Sequence, residues 1–330
     1  MYNLETEKVA REILKHNASK VLVQIPDGLR TTAFSLAEEL RLLTGAEILL
    51  SGDSCYGACD IALAQAEAVQ ADMLVHYGHS EMIKADIPVL YVEATYDFKA
   101  ECLIQKALPL ISGWDGVGLA TTVQHTHKME EITRILENNG VKPAVGRGAP
   151  FHHGQILGCD YTTATSIVDK VKGYLFVGAG RFHPLGLAAS TGKPVVVADP
   201  YTMEVWMLKK RWVTRLAMKR MAAINAAREV KRIAVLLSTK PGQRQTDIAK
   251  DLKEKVRKSG RESVTIVLDE ITTLKLGNFT EPQAFIVTAC PRIAIDGLPD
   301  EARPLLTTIE AKIMLGEKSW EEVWGRGYIS

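Results

Sequence analysis

Three cysteines of this sequence share a setting. Cys59 lies in LLSGDSCYGACD beside Gly57, just beyond an apolar run; Cys159 lies in HHGQILGCDYTTA after Gly158; Cys290 lies in AFIVTACPRI, between an apolar run and Pro291. A single free cysteine is usually a small buried hydrophobe. The joint placement argues for ligands, because core cysteines should fall inside strands and helices as often as at strand exits. The separations are 100 and 131 residues and no C-x2-C pair occurs. Structural zinc sites take close cysteine pairs and four protein ligands, so zinc fits poorly. Cubane clusters usually take four thiolates. Three would leave one iron free for an exogenous ligand, which suits chemistry better than electron storage. The residues read as holding one open 4Fe–4S cluster.

The chain has five cysteines, an odd number and too few for a disulfide scaffold. Cys102, in YDFKAECLIQKALPLI, falls on a helical apolar stripe with Leu103 and Ala107 and is expected in the core. Cys55, separated from Cys59 by three residues, is a fourth or alternative ligand by spacing alone. One ligand per unit favours Cys59, with Cys55 packed beneath the loop.

The elements that must position these residues follow one pattern: a short apolar run, a Gly-marked or polar loop, then a helical stretch. That is the signature of a parallel α/β fold, whose buried strands are continuously apolar. The runs fall into three sets. Val21–Ile25, Ile48–Leu50, Met73–Val75 and Val89–Val92 form the first; Val117–Ala120, Tyr174–Val177 and Val195–Ala198 the second; Ile233–Leu237, Val264–Leu268 and Phe285–Val287 the third. SKVLVQIPDGLR, DGVGLATTVQHTHK and KRIAVLLSTKPGQR each give a strand, a polar turn and a helix start. We expect three similar Rossmann-like or flavodoxin-like units, 1–110, 111–227 and 228–330, in pseudo-threefold arrangement around the cluster, one cysteine from each. Between the last two, Trp206, Val213, Ala217 and Ile224 fall at helical spacing, with many Lys and Arg as the solvated side.

With 46% hydrophobic and 24% charged residues the chain is globular, and its net charge of +1 suggests no dedicated nucleic-acid surface. The start is a charged amphipathic helix, and no apolar run is long enough for a membrane span. A soluble cytoplasmic protein is expected.

At these same residues the chain resembles the archaeal diphthamide synthases, the 3-amino-3-carboxypropyl transferases of the first diphthamide step. The resemblance runs almost end to end. It is carried by QIPDGLR (Gln24–Arg30), GDSCYGACD (Gly52–Asp60), VHYGHS (Val75–Ser80), GQILGCD (Gly154–Asp160), TACPRIAID (Thr288–Asp296) and PLLTTIEAKIMLG (Pro304–Gly316). It implies Cys59, Cys159 and Cys290 as cluster ligands and three α/β domains around the cluster, in a homodimer. It also implies the reaction. The reduced cluster gives one electron to the sulfonium of S-adenosylmethionine, a 3-amino-3-carboxypropyl radical forms and adds to the imidazole C2 of a histidine on elongation factor 2, and methylthioadenosine leaves. The electron donor is not implied. The loop C-x3-C-x2-C of the familiar radical enzymes is absent. A quinolinate synthase-like enzyme, also three α/β units with one cysteine each, is the rival, but that family lacks CYGACD and ACPRIAID.

For the substrate, Asp27, Gly28, Gly78, His79, Gly178, Gly180, Thr239 and Gln243 are expected on the shared loop rim. Glycines there permit close backbone approach. His79 and His183 are candidates to meet the methionine carboxylate or position the acceptor. Catalytic residues beyond the cluster are not indicated. Cys59 and Cys159 follow the second strand region of their units, whereas Cys290 follows the next, so strict threefold symmetry cannot relate all three.

Overall fold

The computed structural model describes residues 2–148 and 151–329. It contains three sheets of four or five strands and a small two-stranded ribbon, Tyr2–Asn3 against Thr95–Tyr96. The first sheet orders its strands Glu47–Leu50, Lys20–Gln24, Met73–Tyr77, Val89–Val92, all parallel. The second orders them Pro143–Val145, Val117–Thr121, Gly173–Val177, Val195–Asp199, and adds Glu204–Met207 antiparallel at the edge. The third runs Glu262–Leu268, Arg232–Ser238, Ala284–Val287, Leu305–Thr307, again all parallel. Numbered within each unit, the order is 2-1-3-4 three times, the start of the flavodoxin-like winding.

Burial explains why these segments are strands. The central strands are apolar on both faces because helices cover both, and Met73–Tyr77, Gly173–Val177 and Val195–Asp199 are buried throughout. The edge strand Glu262–Leu268 is instead only partly covered, leaving Val264 and Val267 exposed. Three strands of the main sheets lie outside the expected sets, as do both strands of the ribbon. Pro143–Val145 and Leu305–Thr307 are three residues each, too short to show a run. Glu204–Met207 was taken into the helical stretch, so Trp206 lies on a strand and the helix begins at Lys210.

Three further expectations are corrected. Cys102 is exposed: the helix Ala100–Ile111 buries Ala100, Leu103, Ile104, Ala107 and Ile111, and Cys102 lies about 100° round from Leu103, off that stripe. The same helix packs its buried face on Leu175, Val177 and Val196 of the second sheet, so a boundary at 110 falls inside an element of the second unit. The helix Lys210–Arg228 buries Leu216, Arg220, Ile224 and Ala227, so its basic residues are not all solvated.

Arg220 is the exception, and it links units. Its guanidinium pairs with Glu310 through Nε and Nη2 at 2.8 and 2.6 Å and donates to the carbonyls of Ala294 and Leu305. Glu310 also accepts from the Thr307 backbone amide and from the Tyr328 hydroxyl, and Tyr328 packs in the core of the second unit. Both charges are essentially inaccessible to water. Removing one partner of such a pair leaves the other uncompensated, which costs about 3–5 kcal/mol. Glu310→Gln should therefore lower unfolding stability by that order in urea titrations, while Arg220→Met with Glu310→Leu loses much less. A Glu310→Gln protein within about 1 kcal/mol of wild type would show the pair is not the staple described.

Candidate functional site

In parallel α/β sheets, ligands gather outside the carboxyl ends of the strands, beside the point where strand order reverses. Here the carboxyl ends of all three sheets face one cavity of about 540 Å³. The first unit contributes Tyr56–Cys59 from its second strand exit and Gly78–Ser80 from its third. The second contributes Thr122–Gln124, Gln155–Cys159, and Phe182 with His183. The third contributes Ser238, Lys240 and Gln243, Asp269–Ile271, and the segment from Cys290 to Leu298.

Cys59, Cys159 and Cys290 thus share one cavity wall. Among the described residues, the trio of His, Cys, Asp or Glu side chains whose ligand atoms all lie within 4.8 Å is Cys55, His76 and His79. The three cavity cysteines are spread wider than that, too far for one zinc ion but suited to a larger body. Burial raises all three thiols above their usual range. Cys159 reaches about 12, through burial and then the neighbouring Cys290 and Cys59. The free thiols are protonated, and binding a metal centre would release those protons.

Each cysteine is held by identifiable contacts. Cys59 sits in the one-turn segment Ala58–Asp60, and a Cβ on Gly242 would lie 2.5 Å from its Cα, so only glycine admits this approach of the third unit. Gln243 Nε2 donates to the Cys59 sulfur at 3.4 Å. Lys240 forms a buried ion pair with Asp60 at 2.7 Å and lies over the Tyr56 ring. Tyr56 in turn donates to Glu270. Cys290 precedes the helix Pro291–Asp296; burial raises its thiol, and the nearby Arg292 amide offsets part of that rise. At the second unit the Asp160 carboxylate accepts from the Thr162 amide just after Cys159.

Between first and second units, Gln124 donates to the Gly78 carbonyl and Gln155 meets Ser80. Gly78 has a φ of 84°, and a Cβ there would strike Pro26 at 2.7 Å. Behind it a buried chain runs inward. His76 Nδ1 faces Gln24 Oε1 at 2.8 Å, and His76 Nε2 faces His79 Nδ1 at 3.0 Å. Gln24 Nε2 donates to the Asp60 carbonyl, tying the chain to the Cys59 loop. With Gln24 Oε1 accepting from both the Ala62 amide and His76, the network assigns the proton to His76 Nδ1 and to His79 Nδ1. Burial lowers His76 to about 3 and His79 to about 4, so both are neutral near pH 7. His183 falls to about 4, through burial and then the charge of Arg292. Neither cavity histidine is a cation for a carboxylate.

Of the residues expected on the rim, Gly78, His79 and Gln243 line the cavity. Asp27, Gly28, Gly178, Gly180 and Thr239 do not. Asp27 is exposed and pairs with Arg30, Gly28 and Gly180 face open space, and Gly178 packs on the Phe176 ring. Thr239 acts at one remove, donating to Asp269. Cys55 is buried and off the lining, its thiol pushed up to about 12 by burial and then Asp60. Lys240, Asp60, Gln155, Arg292 and Glu270 were missed. Asp60, Gln155 and Arg292 lie inside the motifs that carry the cysteines, and Lys240 lies between Thr239 and Gln243.

Comparison with known proteins agrees with this geometry. The family model for diphthamide synthesis proteins matches residues 25–325. The 2-(3-amino-3-carboxypropyl)histidine synthase of Pyrococcus horikoshii is 34% identical, with 98% of this chain and 95% of that protein covered. Subunit 1 of the corresponding human synthase is 31% identical over 97% of this chain and 74% of its own length. The crystal structure of Dph2 from Pyrococcus horikoshii superposes with a TM-score of 0.88 at 35% identity, covering 97% of this chain and 93% of that one. The same protein solved with a 4Fe-4S cluster gives 0.87 at 34% identity, with the same coverage. The chain belongs to the diphthamide synthesis family.

Proposed function

We propose that this protein is a 2-(3-amino-3-carboxypropyl)histidine synthase, transferring that group from S-adenosylmethionine to the imidazole C2 of a histidine on elongation factor 2. The observation that carries the reading is the convergence of Cys59, Cys159 and Cys290, one from each sheet, on a single cavity. The named synthase relatives and a structural relative holding a 4Fe-4S cluster support it. The donor set fits such a cluster: three thiols, wider apart than one ion allows, with no fourth cysteine on the cavity lining. When bound there, the cluster would supply one electron to a sulfonium, which the protein's own side chains cannot do.

The chain's residues do the remaining work. The Gln243 amide donates to the Cys59 sulfur and favours its ionised form, and the Arg292 amide near Cys290 acts in the same direction there. Lys240, paired with Asp60, holds the Cys59 loop. Met82, Phe151, Ile156, Leu157 and Phe182 give the cavity apolar walls that exclude water from a reactive carbon radical. Cleavage at the methionine side-chain carbon, rather than the ribose carbon, is a matter of which bond the walls align. A homodimer working in the cytoplasm with a separate electron donor completes the reading; no helix among the described residues is long and apolar enough to cross a membrane.

Alanine at Cys59, Cys159 or Cys290 should each abolish or sharply reduce the brown chromophore and the iron content after anaerobic reconstitution. Cys102→Ala should leave both unchanged, and Cys55→Ala should leave most of the iron. If Cys55→Ala loses as much iron as Cys59→Ala, the ligand assignment in that loop is wrong.

The nucleoside product tests the function itself. Anaerobic reaction with dithionite, S-adenosylmethionine and elongation factor 2 should release methylthioadenosine in step with modified histidine, read by chromatography and mass analysis. Dominant 5′-deoxyadenosine would refute the proposed bond choice even with cluster and fold intact.

A further inference from the structure

Cys55 is the loop cysteine that the cavity leaves over. It is buried and off the lining, and its sulfur stands with ligand nitrogens of His76 and His79, all within 4.8 Å of one another. All three residues belong to the first unit. Cys55 shares a loop with Cys59, His76 lies on the strand Met73–Tyr77 and is inaccessible to water, and His79 follows that strand on the cavity lining.

Three features argue that this group is a ligand set. The first is spacing. His76 Nε2 and His79 Nδ1 face each other at 3.0 Å. Donors at zinc bond lengths of about 2.0–2.3 Å stand roughly 3.3–3.8 Å apart on a tetrahedron. The histidine pair needs only a small opening to reach that edge, and the 4.8 Å limit keeps Cys55 within about an ångström of its own corner. The second is protonation. Burial keeps both imidazoles neutral near pH 7, the form that binds metal. The third is orientation. His76 Nδ1 donates to Gln24 Oε1 at 2.8 Å, and Gln24 is itself held by the Asp60 carbonyl and the Ala62 amide. A ligating histidine commonly gives its other ring N–H to such a partner, which fixes both the ring and its tautomer.

Donor chemistry selects the ion. Calcium and magnesium take oxygen donors. One thiolate with two imidazoles suits zinc, and leaves the fourth tetrahedral position to water. Binding exchanges protons and involves no redox change. The Cys55 thiol, pushed up to about 12 chiefly by burial, gives its proton to solvent. His79 moves its proton from Nδ1 to Nε2, and His76 keeps its own on Nδ1.

We propose that Cys55, His76 and His79 form a mononuclear zinc site, separate from the three cavity cysteines. The ion clips the loop that carries Cys59 to the end of the strand Met73–Tyr77, and Gln24 is the positioning residue behind it.

Zinc binding by cluster-loaded protein, kept anaerobic and with iron measured alongside, tests this. Dialysis against zinc chloride followed by elemental analysis should show one zinc ion per chain with iron undiminished. X-ray absorption at the zinc edge should show one sulfur at about 2.3 Å and nitrogen or oxygen neighbours at about 2.0–2.1 Å. Gln24→Met should weaken zinc binding roughly 10- to 100-fold, the scale of a lost outer-shell partner, and Cys55→Ser, His76→Gln and His79→Gln should each weaken it further. Should the buried His76→Gln fail to fold, Cys55→Ser and His79→Gln carry the test, each checked for wild-type circular dichroism. A full chain with Cys59, Cys159 and Cys290 all replaced by alanine should bind the same single ion, which keeps the outcome independent of the cluster. Zinc that binds only as iron leaves, or that is lost from the triple-alanine chain, belongs to the cavity cysteines and overturns the proposal. Zinc with no sulfur neighbour, or bound equally well by Cys55→Ser and His79→Gln, is an adventitious ion only and overturns it too, as does wild type that binds no zinc.

Discussion

Three cavity cysteines drawn from three separately wound sheets are only as well placed as the contacts between those sheets. The buried ion pair of Lys240 with Asp60 is the contact on which the Cys59 position most depends. Coulomb attraction is strong where water is scarce, and the pair carries its own hydrogen bond, so loss of either partner would strand a charge. Around it the interface closes by shape, with Gly242 lying against the Cys59 backbone and Gln243 reaching the sulfur. The Gln24–His76–His79 chain joins the same loop from the opposite side. A cysteine that looks like one motif residue is fixed by two units.

The polar economy of the cavity follows from this. Burial makes the thiols reluctant to ionise and the histidines reluctant to charge. The two non-histidine cations are paired, Lys240 with Asp60 and Arg292 with Asp296, while Asp269 and Glu270 accept hydrogen bonds from Thr239 and Tyr56. In the proposed reaction an electron enters and a neutral carbon radical must survive, which a cavity whose cations are held in ion pairs suits.

Much of the fold was legible because buried parallel strands announce themselves as unbroken apolar runs, and the winding repeats three times. Short strands were not, since three residues such as Leu305–Thr307 carry no period. Cys102 misled because apolar neighbours mark a helix without fixing which side of it a given residue occupies. Of the site, the three cysteines and their motifs were readable, as were Gly78, His79 and Gln243. Gly28 and Gly180 lie off the lining, and a turn glycine and a ligand-approach glycine look alike in sequence. Lys240 was invisible for a different reason: its role comes from a partner 180 residues away in another unit.

The repetition also exposes where symmetry is broken. At the second strand exit the first two units place Cys59 and Cys159, and the third places Asp269 and Glu270. At the third exit the first two place His79 and His183, and the third places Cys290. Equal loops would have put three cysteines on one ring and three histidines on another, giving a cavity with no preferred direction. Exchanging the two positions in the third unit sets an acidic edge on one side and the Cys290–Arg292 segment on the other. A ligand entering such a cavity meets chemically different walls at each turn. In the proposed reaction the choice among three carbon–sulfur bonds requires that inequality, and a duplicated fold can supply it only where the copies differ.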